Sequence, residues 1–383
     1  MLVASAWLTV VSSLPAPPSL PPLYKVNAAT HLDAGRQHGA AAKARIRGWL
    51  ATEEMIGLLN FTRGAGRDAL ENMKRDNTKF SPKLAEELRG IAEGAAVPVD
   101  QIWAANMINE IEALMPSSAR RDLVGHCSDV YAVPAGGTRA GFAQGHNEDW
   151  PGPVHLYWYF LSINSTSDED GLSSCGGMIY PGGMPGWASS WNANGMWLTQ
   201  NSLFPARSRR AGLSSAFVQR QAICGPDGGA SSLQDVVDGL STGGWAQAAS
   251  VNIVDMNARR MANVEVYEDR IGMHEVTLQP AGPSNYSHFN HFKEIQSVEE
   301  DGHRTSSRHR QARLDSLPAP TSADDIAMRL SDTHDAAYPI YRQMTLATLV
   351  LDGAARSLRV WCCGHSAESG PPAFKWDLSS FFL

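Results

Sequence analysis

Cys127 stands where the chain changes character, in the run Leu123-Val124-Gly125-His126-Cys127-Ser128-Asp129-Val130-Tyr131. A thiolate is a strong nucleophile toward carbonyl carbon, and modest activation is enough to supply one. Downstream come Gly145-His146-Asn147-Glu148-Asp149-Trp150, then Trp191-Asn192-Ala193-Asn194-Gly195-Met196-Trp197-Leu198-Thr199-Gln200-Asn201, then Ser250-Val251-Asn252-Ile253-Val254-Asp255. Phe289-Asn290-His291-Phe292 follows, and after it Ser307, Arg310 and Arg313. Carboxylates, amides and a guanidinium around a thiol are what acyl transfer uses: groups that take or orient a proton, and donors aimed at a developing oxyanion. Each residue also has a plainer reading. A single cysteine at a strand start is commonly a packed small hydrophobe. Asn252 reads equally as an inward asparagine satisfying its neighbours, and Asp149 as a turn cap after Asn147. Arg310 shares a basic stretch with Arg304, Arg308 and Arg313, which reads as a solvated helix face. His288 and His291 have no nearby third ligand, so no metal is expected there. Trp150, Tyr157, Trp158, Trp187, Trp191 and Trp197 read mainly as core between sheets, with one or two able to wall a pocket.

The elements that must hold these residues are legible from periodicity. Thr30 caps a helical stretch reaching about Asn60, with Ile46, Leu50, Ile56 and Leu59 at helical spacings. Ser81-Pro82 opens a helix to about Glu93, Gly94 is expected to interrupt, and Pro98 to Leu114 forms another helix ending at Pro116. From Gly125 to about Leu203 the chain reads as strand and turn. Val154 to Ile163 is one strand, and Trp191 to Trp197 is a hairpin turning at Asn194-Gly195. A helical interlude covers about Ser214 to Leu240. Ser250–Met256, Ala262–Glu268, Leu346–Asp352 and Leu358–Cys362 read as strands, with a helix near Arg308–Leu317. Helices, then antiparallel-looking strands, then a mixture of both predict an α+β fold with stacked sheets.

In order and spacing these motifs resemble the acyl-coenzyme A:6-aminopenicillanic acid acyltransferase-like group, peptidase family C45, among the N-terminal nucleophile hydrolases. The resemblance runs from Asp33-Ala34-Gly35-Arg36-Gln37-His38-Gly39 to Trp361. It implies a four-layer αββα sandwich, with a flexible lead-in over residues 1–30 and a single domain over 31–383. It also implies that the chain cuts itself between His126 and Cys127. Cys127 then carries a free α-amine, whose reference pKa of about 7.7–8.0 suits it to act as general base. By position in the family pattern, Asn252 is the oxyanion donor and Asp149 the acid that orients the cysteine amine. Arg310 matches an arginine that pairs with Asp149 or steadies the site, and Asn290-His291 a structural box. Family chains often have glycine directly before the cysteine; His126 stands there instead, with Gly125 one place earlier, and His126 could assist by proton transfer.

Within the family the chain resembles the subgroup that hydrolyses N-β-alanyl amines such as N-β-alanyldopamine and carcinine. The implied partner is therefore a small-molecule N-acyl amine, with no cofactor and no metal. The two pieces are implied to stay together as a heterodimer able to pair further. An acyltransferase, a catalytically silent relative and an unprocessed protein with a structural cysteine remain as alternatives.

Bulk properties narrow the field. A chain of 383 residues can bury a substantial core. A net charge of −7 argues against a general nucleic-acid binder. The five cysteines, Cys127, Cys175, Cys224, Cys362 and Cys363, are odd in number and lack a CxxC pair. That pattern fits neither a disulfide framework nor a zinc site, and predicts a reducing, cytoplasmic compartment. The apolar start, Met1 to Val11, has no Lys or Arg before it and is too short to span a bilayer. No later segment is long and apolar enough, so no membrane is expected.

Overall fold

Runs of branched and aromatic residues alternate inward and outward through the middle of the chain and assemble two sheets. The first has eight strands, in the order β1 (Leu23–Ala28), β4 (Tyr159–Ser165), β5 (Cys175–Ile179), β6 (Ser190–Asn192), β7 (Met196–Ser202), β8 (Ala249–Asp255), β9 (Arg260–Tyr267) and β10 (Arg270–Glu275). The second has six: β11 (Ser284–His288), β2 (Ser128–Val133), β3 (Ala143–Asp149), β12 (Thr345–Asp352), β13 (Ser357–Cys362) and β14 (Phe374–Asp377). Of the neighbouring pairs, only β1 with β4 is parallel. The computed structural model describes residues 20–116, 127–167, 169–225, 228–276, 284–301 and 304–382. The apolar start and His126, on the far side of the expected cut, lie outside the described residues.

Helices cover both outer faces. On the first sheet, Met196, Leu198, Val251, Ile253 and Val264 pack against Val218 and Ile223 of α8 (Ser215–Cys224) and Val236 and Leu240 of α9 (Leu233–Leu240). On the second, Val130, Ala132 and Val350 pack against Leu314 of α10 (Arg304–Asp315) and Ile326 and Leu330 of α11 (Ala323–Leu330). The inner faces meet directly, as when the Tyr131 hydroxyl of the second sheet donates to Asn252 Oδ1 of the first at 2.8 Å. The protein is thus α+β in four αββα layers, as the motifs implied. Among the described residues, seven further helices precede β2: α1 (His31–Ala41), α2 (Lys43–Leu50), α3 (Glu53–Arg63), α4 (Arg67–Phe80), α5 (Pro82–Ala95), α6 (Val99–Ala105) and α7 (Ile108–Leu114).

Local chemistry explains where these elements start, and where expectation and structure part. Thr30 caps α1 through Oγ1, which accepts from Asp33 N at 3.1 Å. The long stretch expected to about Asn60 is three helices, because Thr52 caps a fresh start by accepting from Met55 N. Gly94 does not interrupt; it lies inside α5. The reason is close packing against α1: a Cβ on Gly94 would meet Arg36 O at 2.1 Å, and one on Gly35 would meet Glu87 O at 2.1 Å. Glycines here let two helix backbones touch. The lead-in expected over residues 1–30 is also shorter than that, since Leu23–Ala28 form β1. Only the second half of the strand expected over Val154–Ile163 is strand, because Pro153–Leu156 form a 3₁₀ turn. The hairpin at Asn194-Gly195 is present, with Gly195 at a φ of 82° that favours glycine.

The cysteine expectation is corrected. Cys175 of β5 and Cys224 at the end of α8 form a disulfide across 49 residues of sequence. Counting and spacing could not find it, because only the packing of α8 on the first sheet brings the two together. Reducing it, or replacing both cysteines by serine, is expected to cost about 2–4 kcal/mol of stability. Denaturant unfolding of oxidised, reduced and mutant protein checks this; coincident midpoints would reject it.

A buried ionic cluster ties α1, α5 and α8 together. Glu87 accepts from Arg220 Nη2 at 3.2 Å and pairs with His31 Nδ1 at 2.8 Å. Burial alone would raise the Glu87 carboxyl, but Arg220 and His31 hold it down at about 2.

Candidate active site

β2 and β3 run antiparallel with Asp129 opposite His146. Side chains alternate along a strand, so Cys127, Asp129 and Tyr131 share the inner face with Gln144, His146, Glu148 and, just beyond β3, Trp150. That face meets the first sheet. Asp129 accepts from the Thr199 hydroxyl at 2.6 Å, from Asn201 Nδ2 at 2.7 Å and from the Gln144 amide.

Cys127 sits at the head of β2, only 3 % exposed. Its thiol donates toward Glu148 Oε1 at 3.7 Å, and Tyr180 donates to the same oxygen at 2.7 Å. His146 lies between two carboxylates, its Nδ1 at 2.7 Å from Asp129 Oδ2 and its Nε2 at 3.0 Å from Glu148 Oε2. The Cys127 sulfur and one ligand atom each of His146 and Glu148 lie within 4.8 Å of one another. Thiol, imidazole and carboxylate at this separation are also what a zinc-type ion would accept.

Charge follows from burial and neighbours. Burial pushes the Cys127 thiol up to about 12, Glu148 adds to the rise, and His146 opposes it. Such a thiol is dormant at neutral pH. Burial would depress His146, but the Asp129 charge and the hydrogen bonds of its neighbours carry it well above the usual histidine range. His146 is therefore an imidazolium beside the sulfur, a charge that favours any thiolate or oxyanion forming there.

The residues singled out from the family pattern fall in different places. Arg310 is buried and pins the nucleophile's backbone: Nη1 donates to Cys127 O at 2.7 Å and to Ser128 Oγ at 2.8 Å, and Nη2 to Asn290 Oδ1 at 2.7 Å. Burial and the like charge of Arg342 bring the Arg310 guanidinium down to about 9. Arg308 of the same helix is exposed, so the solvated-face reading holds for it and not for Arg310. Asn290 in turn donates to Ser202 O at 2.9 Å, which links Arg310 to the first sheet.

Asp149 accepts from the Thr345 hydroxyl at 2.5 Å, and its nearest cation is Arg342, at 3.6 Å, in place of the expected Arg310. Burial lifts its carboxyl to about 6 against the pull of Arg342 and Thr345. Among the described residues its Oδ2 has no hydrogen-bond partner. Asn252 is spent inside the sheets. It donates to Asn201 Oδ1 at 2.9 Å and accepts from Tyr131 and Asn263, and it does not line the cavity at Cys127. A chain of hydrogen bonds runs from it through Asn201 and Asp129 to His146, beside the sulfur.

That cavity, about 10 Å³, is walled by Cys127, Glu148, Trp150, Trp187, Ala188, Gln200 and Ser202. Trp150 also lines a separate cleft of about 480 Å³, together with His155, Trp158, the segment Gln343–Leu346 and Cys363. Trp191 and Trp197 stack in the core at 5.6 Å and touch neither space.

Motif reading passed over Asp129, His146 and Glu148. One signal was available: once Gly145–Asp149 is taken as a strand, period-two alternation puts His146 and Glu148 on one face and Asp149 on the other.

The sequence model of the acyl-coenzyme A:6-aminopenicillanic acid acyl-transferase family matches residues 136–366. The match takes in His146, Glu148, Asp149, Asn252 and Arg310 and begins after Cys127. No curated protein matches the chain. Among solved structures, a mutant conjugated bile acid hydrolase from Clostridium perfringens is similar at 10% identity and a TM-score of 0.40, over 66% of this chain and 94% of that one. Penicillin V acylase from Agrobacterium tumefaciens is similar at 12% identity and a TM-score of 0.37, over 67% of this chain and 87% of that one. Likeness this loose assigns no substrate.

Proposed function

The chain belongs to the acyl-coenzyme A:6-aminopenicillanic acid acyl-transferase family, and on that footing we propose that it is a self-processing cysteine amidase of the Tan type, acting on N-β-alanyl amines. The observation that carries the reading is the convergence of Cys127, His146 and Glu148 within 4.8 Å of one another, beside a cavity that Cys127 and Glu148 line.

The buried, protonated thiol suits a precursor. In self-processing the Cys127 sulfur attacks the carbonyl of His126, the C–N bond breaks as the Cys127 nitrogen takes a proton, and water hydrolyses the thioester. The new α-amine titrates near working pH and becomes the general base. Asp149 Oδ2 makes no hydrogen bond among the described residues, though Arg342 stands 3.6 Å away, and is the acceptor assigned to it from the family pattern. In turnover the amine takes the thiol proton and sulfur attacks the amide carbonyl. The imidazolium of His146 favours the negative charge that forms, and the leaving amine departs with the proton. Water then releases the acid and restores the thiol. The substrates are N-β-alanyldopamine and carcinine, giving β-alanine with dopamine or histamine. The family's acyltransferase name favours a second reading, in which another amine intercepts the thioester.

Purified protein incubated with β-alanyldopamine, carcinine and a plain fatty-acyl amide should release amine from the first two only. Hydrolysis of the fatty amide alone overturns the reading, and acyl transfer to added amine in preference to water selects the second.

Asp149 adds a pH dependence. It is protonated below about 6 and ionised above, and only the ionised form can hold the Cys127 ammonium. Activity should therefore rise with pH through about 6 in the wild type, and Asp149→Asn should lose that limb. A pH–rate profile unchanged by the substitution would remove Asp149 from the site.

No helix among the described residues is long and apolar enough to cross a membrane. The Cys175–Cys224 disulfide favours an oxidising compartment over the cytoplasm expected from the cysteine count.

A further inference from the structure

β13 ends where two cysteines follow one another, Cys362 and Cys363. In an extended strand such neighbours point to opposite faces, which keeps their sulfurs apart. Here the strand stops between them. Cys363 takes a φ of 62° and Gly364 one of 82°, and His365 N donates back to Cys362 O at 3.1 Å, closing a tight turn. A left-handed φ is unfavourable for a residue that carries a Cβ. At Cys363 it accompanies an approach of the two sulfurs to 3.4 Å, in hydrogen-bonding contact.

The two thiols differ in access. Cys362 is 2 % exposed and belongs to the core, whereas Cys363 is half-buried and lines the cleft of about 480 Å³. They also differ in acidity. The hydrogen bond they share holds the Cys363 thiol below the ordinary cysteine range, and together with burial it pushes Cys362 up. A reachable sulfur with thiolate character beside a sheltered second thiol is the arrangement of an attacking cysteine and its resolving cysteine. Cys175 and Cys224 are the opposite case, both wholly buried and already joined.

We propose that Cys362 and Cys363 form a redox-active dithiol, which a small-molecule disulfide such as oxidised glutathione converts into a disulfide between neighbours at the edge of the cleft. The Cys363 thiolate attacks one sulfur of the glutathione disulfide, whose S–S bond breaks, and one glutathione leaves as its thiolate. Cys362 then gives up its proton and attacks the Cys363 sulfur of the mixed disulfide, expelling the second glutathione. One dithiol and one glutathione disulfide thus become one protein disulfide and two glutathiones, both electrons passing to glutathione. Consecutive Cα atoms stand about 3.8 Å apart, closer than is usual across a disulfide. The ring is therefore strained, and excess reduced glutathione reopens it.

The experiment treats purified protein with oxidised glutathione, alkylates it in denaturant, and weighs the tryptic peptide 360–375, which holds both cysteines. That peptide should carry neither alkyl group nor glutathione and should be lighter than its reduced form by two hydrogens. Reduced glutathione should restore two alkylatable thiols. In Cys362→Ser the reaction should stop at a glutathione adduct, and in Cys363→Ser capture of glutathione should slow by at least about tenfold. If either variant misfolds, the wild-type peptide decides. A wild-type peptide that keeps both alkyl groups, or that accumulates a glutathione adduct with Cys362 still alkylated, overturns the proposal. So does Cys363→Ser reacting as fast as the wild type.

Discussion

Cys127→Ala is expected to remain one polypeptide of 383 residues, and the wild type is expected to resolve on a denaturing gel into pieces of 126 and 257 residues (383 − 126 = 257). Hydrolysis in the mutant should fall by at least about 10⁴-fold, since removing a covalent nucleophile leaves only binding and oxyanion stabilisation. The fold should survive. The side chain is small and already buried, and Arg310 grips the backbone carbonyl at this position, not the sulfur. Mass spectrometry of the large piece should find cysteine at its amino terminus. Undiminished cleavage in the mutant, or full activity in an uncut wild type, would mean that the mechanism is wrong.

Asp129→Asn should give the second large effect. The carboxylate takes hydrogen bonds from Thr199, Asn201, Gln144 and His146. An asparagine has the same shape, but must turn an NH₂ toward some of these donors. It also removes the charge that most raises the His146 pKa against burial. A neutral or misoriented imidazole no longer offers positive charge to the sulfur. A fall in kcat of about 10²–10⁴ is expected by analogy with loss of the orienting acid in serine triads, with KM little changed. His146 should also titrate at lower pH by NMR. Wild-type kcat together with a shifted His146 would make the pair structural only.

Much of this was legible in the sequence, and the misses have physical causes. β8, β9, β12 and β13 lie within a residue or two of expectation because their apolar residues alternate or run unbroken through a buried sheet. β10 and β14 flank the sheets at their edges, with much of each strand exposed, and gave no such pattern. Gly94 misled because a glycine that ends a helix and one that admits a neighbouring helix look alike along the chain. The disulfide and the Asp149–Arg342 pairing depend on contacts between distant segments. So does the fate of Asn252, which motif position alone would put at the oxyanion. Glu148 and Asp149 are adjacent letters, and only the pleat of β3 decides which of them looks at the sulfur.

The strand at Leu23–Ala28 belongs to the chain before residue 126, yet it is zipped along Tyr159–Ser165 beyond it. Separating the light and heavy polypeptides of a matured molecule would strip that ladder and leave a raw sheet edge of unpaired amides and carbonyls. An isotope-labelled light polypeptide added to matured enzyme should therefore not swap in. Co-expressing the two as separate genes should reconstitute poorly, because a parallel register between unconnected chains is slow to find.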